Sequence, residues 1–349
     1  MGEDKATILI RADANVAMGT GHVMRCLALA QAWQEAGGRA IFVGVGVLPR
    51  LRERLRSEGF AVLESEGRPG SREDARGAAR LASQFAAEWI LVDGYHFDAD
   101  YQKELKAAGL RILFVDDNRH ARHYAADLVL NQNVHAEESL YADREPYTRL
   151  LLGSRFVLLR REFQQWRHWK RAIPPTGRKI LVSMGGSDPG NATAALIPTL
   201  KGLLAEGLEV AIVAGSGNPH LDSLEQAIGP NGGIRLMRDV VNMAELMAWA
   251  DVMLAAAGTI CWEICAMGLP ALLVVTASNQ RLAAQKLAAL GAAQTVDAPE
   301  SIATAVPPLL RQLLDSQSMR RSFSSKARQL VDMEGAARVV SALRGFSDQ

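Results

Sequence analysis

The sequence predicts an α/β protein built from two Rossmann-like, doubly wound domains facing a cleft. Three observations carry this. Short runs of branched aliphatic residues recur with helical segments between them, the signature of a parallel sheet buried on both faces. The series stops at a polar, proline-marked stretch and then starts again. A chain of 349 residues is also longer than one core usually organises.

In the first half the strands are expected at Thr7 to Arg11, Ala40 to Val45, Trp89 to Val92, Arg111 to Val115 and Leu128 to Asn131. Met24 to Ala36 carries apolar residues at helical spacing and stops at Gly37 and Gly38. Gly67 to Arg72 reads as a loop, followed by an amphipathic helix from Asp74 to Ala87. After Asn131 the chain turns polar and aromatic, through Gln164 to Lys170, and closes on Pro174, Pro175, Thr176 and Gly177. A second series of strands follows at Lys179 to Ser183, Val210 to Ala214, Ile234 to Met237, Val252 to Ala255 and Ala271 to Val275. From Pro307 onward the chain reads as helical. The expected layout is a first domain over 1–160, a linker over 161–177, a second domain over 178–330, and a final helix in 331–349 that can return to the first domain.

Composition excludes several classes. With 39 basic and 38 acidic residues the net charge is +1, so neither nucleic acid nor a charged membrane surface is an expected partner. Cys26, Cys261 and Cys265 form no paired motif, which argues for buried free thiols in a reducing cytoplasm. Ile8 to Ile10 is too short for the apolar core of an export signal. The most apolar stretch, Leu246 to Thr276, is interrupted by Asp251, Gly258, Glu263, Gly268 and Pro270 and reads as a strand, helix, strand unit. A cytoplasmic monomer with no membrane insertion is expected.

The chemistry concentrates at strand ends. Asp13 follows the first strand, Gly19, Thr20 and Gly21 make a tight turn, and His22 opens the next helix. Such a turn exposes backbone N–H groups to an anion or to developing negative charge. A dinucleotide fingerprint wants a third glycine or alanine where Met24 stands, and no acid closes the second strand, so NAD is excluded. A histidine there is either a helix cap or a group aimed at a ligand. In the second half, Met184 to Pro189 either starts a helix or lets Gly185 and Gly186 approach a diphosphate. Gly215 to Asn218 follows the next strand in the same manner. After Gly258 and Thr259, Glu263 stands among apolar neighbours, where it accepts from ribose hydroxyls or pairs with an arginine. Ser278, Asn279 and Gln280 form a polar cluster at another strand end. Asp93, Tyr95, His96, Asp116 and Asp117 follow strands of the first half and are expected to point into the cleft. Asp98 and Asp100 read as helix caps rather than metal ligands, and His120 and His123 as solvated histidines, so no metal is expected. No Gly-x-Ser-x-Gly elbow anchors an acyl-transfer triad.

Taken together, Ile10 to Asp13, Gly19 to His22 with Met24 and Arg25, Asp93 to Tyr95, Asp116 and Asp117, Asn131 and Asn133, Ser183 to Asp188, and Asn279 with Gln280 resemble one family in order. It is the UDP-sugar hydrolases of pseudaminic acid biosynthesis, which act on UDP-2,4-diacetamido-2,4,6-trideoxy-β-L-altropyranose. The resemblance implies a glycosyltransferase-B-like fold, no cofactor or metal, and a UDP-sugar as partner. It implies that His22 is the catalytic group, that Arg11, Asp13, Gly21, Tyr95, Asn279 and Gln280 meet the sugar, and that Gly185, Gly186, Gly258, Thr259 and Glu263 hold UDP. One departure is Gly94, where members of the family often carry a histidine. The rivals are a UDP-sugar-dependent transferase of the same fold, for which the only candidate acceptor surface, Leu48 to Arg56, reads rather as a solvated amphipathic helix, a hydrolysing epimerase, and a non-catalytic nucleotide-sugar-binding module.

Overall fold

The computed structural model describes residues 5–15, 18–215, 217–230, 233–297 and 302–346. From the N-terminus the chain runs β1 (Thr7–Ala12), α1 (Gly21–Glu35), β2 (Arg39–Gly44), α2 (Pro49–Ser57), β3 (Ala61–Glu64), α3 (Arg72–Gln84), β4 (Ala87–Asp93), α4 (Ala99–Ala107), β5 (Arg111–Val115), β6 (Leu128–Asn131) and β7 (Arg149–Leu152). It continues through β8 (Lys179–Ser183), α5 (Ala192–Ala205), β9 (Glu209–Ala214), α6 (Leu221–Ile228), β10 (Ile234–Arg238), α7 (Met243–Trp249), β11 (Val252–Ala256), α8 (Ile260–Met267), β12 (Ala271–Val274), α9 (Arg281–Ala289), β13 (Gln294–Val296), α10 (Ile302–Asp315), α11 (Gln317–Leu330) and α12 (Gly335–Arg344).

The elements form two compact units. One comprises 1–15, 22–161 and 334–349, the other 16–21 and 162–333. In the first unit seven parallel strands stand in the order β3-β2-β1-β4-β5-β6-β7; in the second, six stand in the order β10-β9-β8-β11-β12-β13. Both sheets are doubly wound, as the sequence predicts. All six residues of β1 are buried because successive side chains enter different cores: Ile8 and Ile10 pack with α1, while Leu9 joins Ile90, Val92 and Phe114 on the other face. In each sheet the strand order reverses at one place, between β1 and β4 and between β8 and β11. There the carboxyl ends of neighbouring strands open a crevice for ligands.

Several boundaries differ from expectation. Strands β3, β7 and β13 were not anticipated, since each is three or four residues long and all three lie at sheet edges. The helix expected over Asp74 to Ala87 ends at Gln84: Ala86 takes a left-handed φ of 48° and Ala87 already belongs to β4. Pro307 does not open α10, which begins at Ile302. Burial of Ile302, Val306 and Leu310 at helical spacing holds this helix together through two internal prolines. The apolar stretch from Leu246 resolves into α7, β11, α8 and β12, and no helix among the described residues is long and apolar enough to cross a membrane.

The stretch expected as a linker is fastened to the second unit by guanidinium groups on backbone carbonyls. Arg171 donates to Met247 and Ala250, each at 2.6 Å, and Arg320 to Pro174 at 2.7 Å and Pro175 at 2.9 Å. Burial pulls the Arg171 guanidinium down to about 9 against the influence of Asp251. The apolar stripe of α12, Ala336, Val339, Val340 and Leu343, belongs to the same core as Trp33 of α1.

Candidate functional site

In the first unit the crevice between β1 and β4 is lined by charge. The parallel register sets Ala12 beside Asp93, and Asp93 beside Val115, so residues following β1, β4 and β5 emerge at one level. Helix α1 starts at Gly21 and puts His22 in its first turn and Arg25 one turn on. His22 Nδ1 lies 2.7 Å from Asp93 Oδ1. Arg25 grips the same carboxylate with two donors at 2.6 Å, Nε to Oδ2 and Nη2 to Oδ1, and sends Nη1 to Asp117 Oδ2 at 2.6 Å. Cys26 Sγ stands 3.4 Å from Asp93 Oδ2. Burial alone would push the Asp93 carboxyl up; Arg25 and His22 outweigh it and hold Asp93 well below the usual carboxylate range. Asp93 is therefore a fixed anion. It accepts the proton of Nδ1 and leaves Nε2 as the basic atom of the ring.

Tyr95 meets His22 edge to face, with ring centroids 4.8 Å apart, and meets His120 in the same way at 5.6 Å. Tyr95 is 37% exposed, which leaves its ring available to a ligand. His120 is not the solvated residue expected. Its Nδ1 lies 3.2 Å from Asp116 Oδ1 and its Nε2 lies 3.0 Å from the Phe97 carbonyl oxygen. Burial opposes charge on this ring, but Asp116 and the Phe97 carbonyl prevail and His120 keeps its proton above the usual histidine range. Asp93 and Asp116, expected to point into the cleft, are both fully buried and serve as supports for side chains.

Arg11 and Asp13 also need correction. Arg11 has no exposed surface: Nε and Nη2 donate to Asp74 at 2.9 and 3.0 Å, and Nη1 donates to Asp13 at 2.6 Å. Asp13 is 2% exposed and takes the Val45 backbone N–H at 2.7 Å. Neither side chain can meet a sugar without leaving its ion pair, and an unpaired buried charge is expensive. His96 Nε2 stands 2.9 Å from Asp13 Oδ2, an ionic contact without hydrogen-bond alignment. Burial pushes the Asp13 carboxyl up, and His96 and Arg11 bring it down to about 2. The absence of a side chain at Gly94 has a local reason. A Cβ there would lie 2.9 Å from His96 Cε1 and 2.9 Å from the Phe97 ring, so the His96 ring occupies space that a residue larger than glycine would need.

The second unit presents mostly backbone and neutral groups. Gly185 adopts a φ of +91°, which only glycine takes at no cost. Asp188 turns its carboxylate onto the N–H groups of Ala192 at 2.8 Å and Thr193 at 2.9 Å. Those two donors at the start of α5 are therefore already taken and are not open to an anion. The start of α8 is different: Thr259 caps it without a side-chain hydrogen bond, and Glu263 sits partly buried in its first turn. Gln280 fixes its carbonyl on Thr276, accepting from N at 2.9 Å and Oγ1 at 3.1 Å, and its Nε2 lies 3.9 Å from where a Gly258 Cβ would stand. Asn279 is exposed in the same 3-10 turn, Ser278–Gln280. Of the Gly215 to Asn218 loop, Ser216 lies outside the described residues.

The structure thus brings His22, Tyr95 and the acids Asp93 and Asp117 together in the first unit, and Gly258, Thr259, Glu263 and Gln280 in the second; Gly21, which opens α1, falls with the second unit. The central part of Arg25 was missed. Its signal was its place three residues after His22 on a face that must be buried.

Two sheets of this order define the class, a glycosyltransferase-B-like fold. Residues 180–334 match the Glycosyltransferase family 28 C-terminal domain. The crystal structure of Acinetobacter baumannii MurG superposes with a TM-score of 0.63 at 19% identity, over 98% of this chain and 100% of that one. Within the class, the resemblance read from the motifs holds. The UDP-2,4-diacetamido-2,4,6-trideoxy-β-L-altropyranose hydrolase of Campylobacter jejuni is 26% identical over 258 residues, 72% of this chain and 85% of that protein. An uncharacterized protein of Methanocaldococcus jannaschii is 24% identical over 283 residues, 78% of this chain; the match spans only 56% of that longer relative.

Proposed function

We propose that the protein hydrolyses a UDP-linked diacetamido-trideoxy sugar at its anomeric carbon, with inversion, in pseudaminic acid biosynthesis. The observation that carries the reading is the His22–Asp93 pair. A buried, permanently ionised carboxylate holds one imidazole nitrogen and leaves the other to accept a proton. The likeness to the Campylobacter jejuni hydrolase supplies the substrate class.

In this mechanism His22 Nε2 removes a proton from water as the water oxygen bonds to the anomeric carbon. The bond from that carbon to the diphosphate oxygen breaks, and its electron pair leaves with UDP. UDP is stable as an anion, so no general acid is required; the N-terminus of α8, which Thr259 leaves without a side-chain cap, offers its partial positive charge to the growing charge. Gly185 and Gly186 let the backbone approach the diphosphate, and Glu263 takes the ribose hydroxyls. Tyr95, Asn279 and Gln280 meet the sugar. Arg11 and Asp13, held in ion pairs with Asp74 and with each other, take no direct part.

The test is turnover of a panel of UDP-sugars in ¹⁸O water. Label in the released sugar agrees with attack at carbon, and label in the phosphate contradicts it. The family 28 match favours a second reading, a UDP-sugar-dependent transferase. That reading gains if UDP is released only when an acceptor hydroxyl is supplied.

A further inference from the structure

We infer that Arg25 and Asp117 are positioning residues that set how readily His22 accepts a proton, an inference that rests on reading His22 as the base. Asp93 is shared. Its Oδ1 takes both His22 Nδ1 and Arg25 Nη2, so the guanidinium draws on the same oxygen that makes the imidazole basic. Left to itself, a buried guanidinium here would cancel the Asp93 charge and with it the benefit to His22. Asp117 offsets this. Its Oδ2 holds Arg25 Nη1 at 2.6 Å, while its Oδ1 is buried with no hydrogen-bond partner among the described residues. Arg25 is thus the residue that the Asp117 carboxylate serves.

The charge count explains why two acids flank one arginine. In the form that accepts a proton His22 is neutral, and Asp93, Asp117 and Arg25 together carry one negative charge. Taking a proton from water brings the cluster to neutrality, so the imidazolium forms in a place already balanced for it. Geometry adds a second requirement. Arg25 Nη2 also lies 3.1 Å from His22 Nδ1. A guanidinium can only donate, so Arg25 and Asp93 compete for Nδ1, and the proton stays there, with Nε2 basic, while the shorter Asp93 contact at 2.7 Å prevails. Grips on Asp93 and Asp117 from both sides commit the guanidinium to carboxylates and weaken its claim on the ring. The groups facing His22 are Asp93 from β4, Arg25 from its own helix and Tyr95 after β4. Cys26 touches Asp93, and His120 reaches the site through Tyr95. Burial and Asp93 keep the Cys26 thiol protonated, which leaves Arg25 and Asp117 as the pair that adjusts the dyad.

Two substitutions test this through opposite signs. Asp117→Asn removes negative charge, so the acidic limb of the rate profile moves to lower pH by roughly 0.5 or more, with a several-fold lower plateau because a weaker base remains. Arg25→Gln removes positive charge, so the limb moves to higher pH. Asp117→Glu restores the parent limb. The ring resonances of His22, followed by NMR across pH without substrate, move with the limb in each variant. If Arg25→Gln fails to fold, Asp117→Asn and Asp117→Glu decide alone. An unmoved His22 titration in Asp117→Asn, or shifts of the same sign in both variants, overturns the inference. Because the NMR arm needs no turnover, failure of the proposed reaction appears separately, as full activity in His22→Ala.

Discussion

The two crevices at the sheet reversals are built from opposite materials. In the first unit the crevice between β1 and β4 is filled with side chains bonded to one another: the charged Arg25, Asp93 and Asp117 and the imidazole of His22. In the second, between β8 and β11, Asp188 is folded back onto the first turn of α5, leaving glycines, Thr259, the partly buried Glu263 and amides. Buried charges that brace each other hold one group in a chosen protonation state; bare backbone lets an anionic ligand come close. Under the proposed function, proton transfer belongs to the first crevice and ligand holding to the second, and substitutions in each can break or sharpen that division.

The largest effect is expected at Asp93. Asp93→Ala leaves the Arg25 charge buried with one of its two carboxylates gone, at a cost of about 3–5 kcal/mol, measurable by urea denaturation. Next comes Gly185→Val, which forces a β-branched residue into a φ of +91°. It is expected to cost about 1–3 kcal/mol and to weaken UDP binding by calorimetry while the His22 NMR titration stays unchanged. Asp188→Ala loses a helix cap worth about 1 kcal/mol, with no change in the pH dependence of the rate.

Acid sensitivity belongs to the first unit. The folded Asp13 carboxyl is depressed from 3.8 to about 2, and Asp93 lies lower still. A depressed carboxyl stabilises the fold above its unfolded value and loses that contribution as pH falls. Stability therefore declines from about pH 4 downward, and Asp13→Asn flattens that decline in an acid melt. His120 has the opposite sign. Raised above 6.5, it stabilises below that value and its contribution fades as pH climbs through its folded value. His120→Gln removes that alkaline component.

Much of this division was legible in the sequence. Runs such as Thr7 to Arg11 and Val252 to Ala255 declare buried parallel strands by composition, and glycine turns after them mark where ligands collect. Strand β13 escaped because three residues at a sheet edge carry no periodicity of their own. The site was read by position but not by partner. Arg11 and Asp13 stand on the ligand side of β1 in sequence, yet Asp74, 63 residues away from Arg11, claims the guanidinium inside the unit. Arg25 and Asp117 are likewise separated by 92 residues, and no local pattern pairs them. Ion pairs of this kind are properties of the register between strands, which appears only on folding.

The most direct test of the division between the crevices is His22→Ala, assayed for UDP release and, by calorimetry, for UDP affinity. UDP release is expected to fall by roughly 10² to 10⁴-fold with UDP affinity kept. Full turnover, or loss of UDP binding in step with turnover, contradicts the assignment of proton transfer to His22 and ligand holding to the second unit.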